Sequence, residues 1–484
     1  MNYLSIVFIA FLLAFVIVYY LTSKKYRYVV IFLGSYFFYG FANPKMLLIL
    51  AWVTLISYVG GLMLGKKKSK AVLCLFFFLE IATLLAYKYT NFAITNINYL
   101  ASRFIGKSID VNWDVALPVG LSFMVFQACT YLSEIYRDQT EIEKNLFRYA
   151  AFVSFFPTIL SGPIQKAKNL LPQIKSPSEF DVQMGKKGTL LFLWGLFEKI
   201  MVANKLNVIY LNTIPDYQSY YSADILIGAV AFSLYIYADF SSYSDMARGV
   251  SMILGIEIGK NFNNPYLSCS TAEFWSRWHV SLNEWFIENV YIPLGGNRKG
   301  IVRKYFNMMI VFLISGLWHG ANWHFIMWGA INGAFVIIGL VLKPVKDRIY
   351  EKFNIDQSAE SVVLFKRIIV FYLITLTWVF FSSGITDSLR ICKRIVLFNY
   401  LSIFNSNLLN IAGTAIETFI TVTSTFVFCK IQVKRQNEKI LYEKYDRQPF
   451  FFQSLVPALL ICICIFGACS TNASVDTRFL YFQF

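Results

Sequence analysis

The chain has 484 residues, of which 57% are hydrophobic and 15% are charged. A soluble domain of this size needs far more charge on its surface, so the composition excludes a soluble globular protein. The net charge of +16 is spread over short loops between apolar runs. This favours basic loops next to anionic lipid over a nucleic-acid-binding surface. We expect one integral membrane domain over residues 1–484.

Apolar runs of the length that a bilayer requires, roughly 20 residues each, recur along the chain. They are continuous and not alternating, which predicts helices instead of the strands of a barrel. We therefore predict an all-α polytopic membrane protein with about eleven transmembrane helices and further re-entrant or interfacial helices. The predicted spans lie near residues 3–22, 28–41, 46–65, 71–92, 115–136, 146–163, 188–212, 221–240, 305–320, 323–343 and 363–382, with two more near 410–430 and 450–469.

Lysine clusters after the first and third spans predict the orientation. Lys24 and Lys25 follow the first run, and a second cluster occupies residues 66–70. Cytoplasmic loops are enriched in Lys and Arg, so both clusters are expected in the cytoplasm and the N-terminus outside. Lys199, near the end of a span, is expected to extend its ammonium group toward the membrane surface.

From about residue 237 to 332 the sequence remains aromatic but gains charged residues, Gly, Asn and Pro. Ionisable groups at membrane depth indicate a functional site unless they are paired or face water. Residues 271–290 have the spacing of an amphipathic helix that Ser270 or Thr271 caps. We therefore predict re-entrant or interfacial helices over 260–297. Three charged residues are predicted to hold them by ion pairs or hydrogen bonds: Asp239, Asp245 and Arg277.

The three histidines of the chain, His279, His319 and His324, all fall within this region. Ser315 and Asn322 stand four residues before and three after His319, which would place all three on one helical face. His319 can then act as a general base on an acceptor hydroxyl, with Asn322 or Trp318 as an oxyanion or wall residue. Ser315 as a nucleophile lacks a surrounding G-x-S-x-G motif. A metal site lacks further ligands, so no metal is expected.

Eight segments resemble the membrane-bound O-acyltransferase (MBOAT) family, and within it the bacterial alginate O-acetyltransferase type. They are PVGLSFMVFQACTYLSEIYR (118–137), FFPTILSGPI (155–164), WGLFEKIMVANK (194–205), YADFSSYSDMARG (237–249), NFNNPYL (261–267), FWSRWHVSLNEWF (274–286), YIPLGGNRKG (291–300) and GLWHGANW (316–323).

The resemblance implies a bundle of helices around a central tunnel in a bacterial plasma membrane. His319 corresponds to the catalytic histidine of the family and His279 to its second functional histidine. The resemblance implies no role for His324. No bound cofactor is implied. The expected donor substrate is a cytoplasmic acyl thioester, acetyl-CoA. The acceptor is an exported polysaccharide, reached directly or through an extracytoplasmic acetyl-handling protein.

Three other functions are compatible with parts of the sequence. D-alanyl transfer to teichoic acid occurs in the same family, with a carrier-protein thioester as donor. A transporter or flippase would have two corresponding polar regions in inverted repeats, whereas the sequence has one. A non-enzymatic scaffold for polysaccharide export would not need His319.

Overall fold

A computed structural model describes residues 1–41, 43–104, 106, 117–405, 411–469 and 479–480. Within these residues, all regular secondary structure is helical. This confirms the predicted fold class. The chain forms two compact units, one of residues 1–192 and 244–260 and the other of residues 193–243 and 261–484.

The first unit is built around α6, which is buried along nearly its whole length and packs against α3 and α4. Its buried polar residues have hydrogen-bond partners, as burial requires: Gln127 Nε2 donates to the Phe152 carbonyl at 2.6 Å, and the Lys168 amide donates to Glu134 Oε2 at 2.9 Å. The helices of this unit are α1 (Ile6–Leu21), α2 (Arg27–Gly40), α3 (Met46–Lys66), α4 (Lys70–Lys88), α5 (Thr90–Phe104), α6 (Leu121–Tyr136), α7 (Leu146–Val153) and α8 (Ala167–Lys175). Helix α9 (Val182–Phe197) and helix α11 (Ser222–Ile253) contribute residues to both units.

The second unit contains all three histidines. Its remaining helices are α10 (Asn204–Thr213), α12 (Thr271–Arg277), α13 (Val280–Phe286), α14 (Ile301–His319), α15 (Trp323–Val341), α16 (Lys343–Lys352), α17 (Glu360–Ser382), α18 (Ile385–Val396), α19 (Ala415–Lys434), α20 (Glu438–Asp446) and α21 (Phe450–Cys469). Two segments are π-helical, Glu198–Ala203 and Ile287–Tyr291.

Eight helical runs of the described residues are long and apolar enough to cross a membrane. They correspond to α3, α4, α11, α14, α15, α17, the run from α19 to α20, and α21. The predicted spans at 28–41 and 115–136 form helices of 14 and 16 residues, and the helix predicted at 146–163 ends at Val153. Residues 115, 116 and 410, where two predicted spans begin, lie outside the described residues.

Helices α14 and α15 form an antiparallel hairpin with two chemically different ends. The first turn of α14 contains Arg303 and Lys304, and the loop before it contains Arg298 and Lys299. Helix α16, which contains further lysines, follows the end of α15. We call this the basic end. The opposite end, which we call the turn end, contains His319 and the short connection to Trp323.

Helix α17 runs antiparallel to α15 and finishes at the turn end. The ring nitrogen Nδ1 of His324, in the first turn of α15, lies 3.0 Å from the carbonyl oxygen of Phe380, near the end of α17. Helix α18, which begins three residues after α17 ends, therefore also lies at the turn end.

Candidate active site

A cavity of about 400 Å³ lies within the second unit, between α12, α13, α14 and α15. Helix α14 contributes one continuous face to its wall, consisting of Lys304, Met308, Val311, Phe312, Ser315 and His319. These positions recur every three or four residues, as expected for one side of a helix. Fifteen residues of α-helix separate Lys304 from His319, a distance of about 22 Å. The cavity therefore extends along α14 from the basic end to the turn end.

His319 is the last residue of α14 and is 5% exposed. Three aromatic rings hold its imidazole, with centroids at 4.8 Å for Trp318, 5.1 Å for Trp328 and 5.2 Å for Phe381. Each meets the imidazole at a steep angle, in edge-to-face contacts. Ser315 lies one helical turn earlier and lines the same cavity. The imidazole and the hydroxyl thus share one wall, as the spacing predicts.

His279 lines the same cavity and is 2% exposed. It lies at the junction of α12 and α13 with a φ of 44°, in the left-handed region. The single amphipathic helix predicted over 271–290 is therefore wrong, because the chain breaks at this residue. The predicted capping is confirmed at Ser270, whose side chain accepts a hydrogen bond from the Glu273 amide at 3.1 Å.

Neighbouring polar residues stabilise the unusual backbone at His279. The Val280 amide donates to the Asn261 carbonyl at 2.9 Å, and the Ser281 hydroxyl donates to Asn261 Oδ1 at 2.6 Å. On the other side of the junction, Asn283 Nδ2 donates to the Trp278 carbonyl at 2.8 Å. Burial lowers the pKa of the His279 imidazole well below its ordinary value, so the ring is neutral near pH 7.

Asn322 lies elsewhere than predicted. Helix α14 ends at His319, and Gly320 takes an extended conformation. Asn322 instead caps α15, its side chain accepting a hydrogen bond from the His324 amide at 3.3 Å. Because the helix is broken between the two residues, a spacing of three residues does not place them on one helical face. The prediction that Asn322 shares a face with His319 is therefore wrong. Trp318 lies against both histidines, with its ring centroid 6.1 Å from that of His279 and 4.8 Å from that of His319.

The three charged residues predicted to support the site have separate partners. Asp239 forms an ion pair with Lys199 at 2.6 Å, and both side chains are 1% exposed. Asp245 lies 3.3 Å from Arg248, one turn further along α11. Arg277 pairs with Glu273 at 2.6 Å within α12. Of these contacts, only that of Arg277 lies within the predicted re-entrant helices.

Lys199 is buried in a polar cluster and does not extend to the membrane surface, contrary to the prediction. Beside it, Glu198 accepts hydrogen bonds from Ser241 at 2.7 Å and from Gln432 at 2.8 Å. The backbone amide of Leu480 donates to the second oxygen of Asp239 at 2.8 Å. This cluster joins the π-helical segment 198–203, helices α11 and α19, and residues 479–480.

Several cavity residues were not singled out from the sequence. At the basic end the wall includes Lys304, Asn297 and Tyr291, whose hydroxyl group donates to Asn297 Oδ1. Toward the turn end it includes Trp275 and Asn283. The three- and four-residue spacing from Lys304 to His319 was present in the sequence and could have identified the α14 wall.

The family model of the membrane-bound O-acyltransferases matches residues 81–385 of the chain. This range includes the cavity residues and all three histidines.

Two of three bacterial relatives described here cover more than nine tenths of the chain, and the third covers less than half. A Pseudomonas putida protein named "Probable alginate O-acetylase AlgI" is 30% identical over 98% of this chain and 98% of its own length. The "Peptidoglycan O-acetyltransferase" of Helicobacter pylori is 30% identical over 93% of this chain and 90% of its own length. The "Teichoic acid D-alanyltransferase" of Bacillus subtilis is 27% identical over 45% of this chain and 58% of its own length. The chain belongs to the membrane-bound O-acyltransferase family and is a multi-pass membrane O-acyltransferase.

Proposed function

We propose that the protein takes an acetyl group from a cytoplasmic thioester, acetyl-CoA, and moves it across the membrane for O-acetylation of an exported cell-surface polysaccharide. The cavity along α14 carries this proposal, because it connects Lys304 at one end of a predicted span with His319 at the other. The two relatives that cover more than nine tenths of the chain are named for O-acetyl transfer in bacteria. We place the protein in the bacterial plasma membrane.

The charge of the two hairpin ends supports the direction of transfer. Loops rich in Lys and Arg face the cytoplasm, which assigns the basic end to that side and the turn end to the outer side. Lys304 lies in the cavity wall at the basic end, with Arg298 and Lys299 in the preceding loop. Cationic groups of this kind bind the phosphates of a nucleotide-containing donor. The narrow cavity then accommodates the acyl-bearing arm of the donor up to His319.

In the proposed reaction His319 is the general base. Its neutral imidazole takes the proton of the acceptor hydroxyl, whose oxygen attacks the carbonyl carbon of the thioester. The C–O bond forms, the tetrahedral intermediate collapses, and the C–S bond breaks. The imidazolium returns its proton to the leaving thiolate, so an O-acetyl ester and a free thiol are the products.

His279 and Ser315 have supporting roles in this proposal. A neutral His279 presents one ring N–H, which can donate to the thioester oxygen as negative charge develops there. The Ser315 hydroxyl, one turn from His319 on the cavity wall, orients the acyl group or the acceptor. Trp318 holds the two imidazoles at their spacing. Asn322 is occupied as a helix cap, and we assign it a structural role.

Acetyl transfer to the surface glycan tests the proposal. His319→Ala should reduce the acetyl content of the glycan by roughly 10²- to 10⁴-fold, the contribution of general base catalysis, and His279→Ala should reduce it as well. His324→Ala is the matched control, because His324 bonds to the Phe380 carbonyl and is not among the residues that line the cavity. Normal acetylation by a stably inserted His319→Ala protein would contradict the mechanism and favour a scaffold or flippase.

The acyl group and the outer acceptor are identified with the purified protein in proteoliposomes. Acetyl-CoA should support transfer to an external hydroxyl acceptor or to an extracytoplasmic acetyl-handling protein. A D-alanyl carrier-protein thioester is the competing donor, suggested by the partial likeness to the D-alanyltransferases. Activity with that thioester and none with acetyl-CoA would replace the acetyl assignment.

A further inference from the structure

A second cavity, of about 490 Å³, opens at the turn end beside α18. Its wall includes three cations, Arg390, Lys393 and Arg394. Tyr217, Gln218 and Ser222 complete the polar part of the wall. We call it the outer basic pocket, since the turn end is the outer side under the proposed orientation. Its size is that of a typical small-ligand site.

The cations of this pocket differ in how they are held. Arg394 is fixed, because its guanidinium donates to the Tyr217 carbonyl at 2.6 Å and also to the Tyr220 carbonyl. The carboxylate of Asp387 contacts this wall, since it accepts a hydrogen bond from the Tyr217 hydroxyl at 3.1 Å and lies 3.7 Å from Arg390. Arg390 and Lys393 are exposed. The described wall residues include three cations and no carboxylate, so the lining itself has an excess of positive charge.

The location of this charge is unusual for a membrane protein. Outer loops are poor in Lys and Arg compared with cytoplasmic loops. Helix α18 nevertheless presents three cations at the turn end, opposite the basic end of the α14–α15 hairpin. The positive-inside rule therefore does not explain these cations. Arg394 is accounted for in part by the two carbonyl groups that it holds, and an anionic ligand on the outer side would account for Arg390 and Lys393.

The rest of the wall favours a glycan over a lipid headgroup as that ligand. Gln218 and Ser222 present amide and hydroxyl groups that hydrogen-bond to sugar hydroxyls, and Leu397 is the one aliphatic side chain among the described wall residues. A lipid site would also need apolar surface for acyl chains. Leu389 and Val396 of α18 are exposed, but they are not among the described wall residues. Helix α18 begins four residues after Phe381, whose ring contacts His319, so a polymer bound here lies at the acceptor end of the active site.

We propose that the outer basic pocket binds an anionic segment of the exported polysaccharide, through carboxylate or phosphate groups on Arg390, Lys393 and Arg394. That the bound polymer is the acceptor rests on the proposed function. The binding itself requires only the pocket.

Binding of a polyuronate tests the pocket directly. The full-length protein in detergent is titrated with oligogalacturonate and, separately, with its uncharged methyl ester. Arg390→Gln/Lys393→Gln should weaken oligogalacturonate binding by roughly 3- to 10-fold, as expected for two exposed ion pairs. High salt should weaken it as well, and the methyl ester should bind poorly to both proteins. The matched control is Lys343→Gln/Lys346→Gln, two exposed lysines at the basic end, which should bind like the unmodified protein.

Equal binding of oligogalacturonate by the Arg390→Gln/Lys393→Gln protein would overturn the proposal, as would equal binding of the methyl ester by the unmodified protein. Nanodiscs with and without phosphatidylglycerol test the lipid alternative. If Arg390 and Lys393 are needed for stabilisation by this lipid but not for oligogalacturonate binding, the pocket is a lipid-headgroup site and the proposal fails. Acetyl transfer to a small neutral alcohol reports the proposed function separately, since it requires His319 and not the outer basic pocket.

Discussion

Replacement of Gly329 by alanine should disturb the active site from a position outside the cavity. Gly329 in α15 faces Gly316 in α14, where the two helices approach closely. A Cβ at position 329 would lie 2.3 Å from the backbone oxygen of Phe312 and 3.4 Å from the Cα of Gly316. Small residues permit such close approach of membrane helices, and a backbone oxygen cannot rotate away as a side chain can.

The size of the effect follows from this contact. To bring the 2.3 Å contact to an ordinary 3.4 Å, the two helices must separate locally by about 1 Å. Overpacking of this kind costs roughly 1–3 kcal/mol of stability. The same shift moves the α14 wall relative to α15, and a misplacement of about 1 Å can lower a catalytic rate by roughly 10²-fold. Gly329→Ala should therefore lower both the melting temperature and kcat.

Thermal unfolding in detergent and acetyl transfer at saturating donor measure the two effects. Gly339→Ala in the same helix is the matched control, because its added Cβ meets only the Thr271 hydroxyl oxygen, at 3.6 Å. That variant should unfold and react like the unmodified protein. A Gly329→Ala protein with unchanged melting temperature and rate would refute the close approach of α14 and α15.

Three other changes have defined outcomes. Removal of one member of the buried ion pair, by Lys199→Met or Asp239→Asn, should lower the free energy of unfolding by about 3–5 kcal/mol, as measured with denaturant. If the double variant loses less stability than the two single variants together, the two side chains are energetically coupled. His279→Asn should unfold at the same temperature as the unmodified protein, because Asn tolerates the left-handed region, whereas His279→Val should unfold at a lower temperature. If the His279→Asn protein is stable but inactive, the imidazole is needed for activity and not only for the backbone conformation. Lys304→Gln should raise the KM for acetyl-CoA with little change in kcat, and an unchanged KM would remove Lys304 from the donor site.

Much of the site could be predicted from the sequence because the patterns that indicate it lie within short stretches of the chain. Apolar runs predicted the helical membrane fold, and the family's motifs directed attention to His319 and His279. Ser315 and His319 share a helix, so their spacing of four residues correctly predicted a common face. The cap at Ser270 followed from the same local reasoning.

Other features depended on where a helix stops or which distant residue it meets. The periodicity of residues 271–290 continues through His279, but the helix is interrupted there, where Asn261 and Asn283 bond to the junction. Asn322 was misplaced for a similar reason, since α14 ends before it. The pairing of Lys199 with Asp239 joins residues 40 positions apart, and no local pattern distinguishes such a lysine from one that reaches the membrane surface.

The position of His319 at the end of α14 has a consequence for the proposed chemistry. The last carbonyl groups of a helix attract positive charge, by about 0.3–1 kcal/mol at exposed ends and up to about 2 kcal/mol in partly buried geometry. The charge that His319 acquires as it removes the proton therefore develops where the helix favours it. A histidine in the middle of α14 would lack this stabilisation, and it would lie further from an acceptor at the turn end.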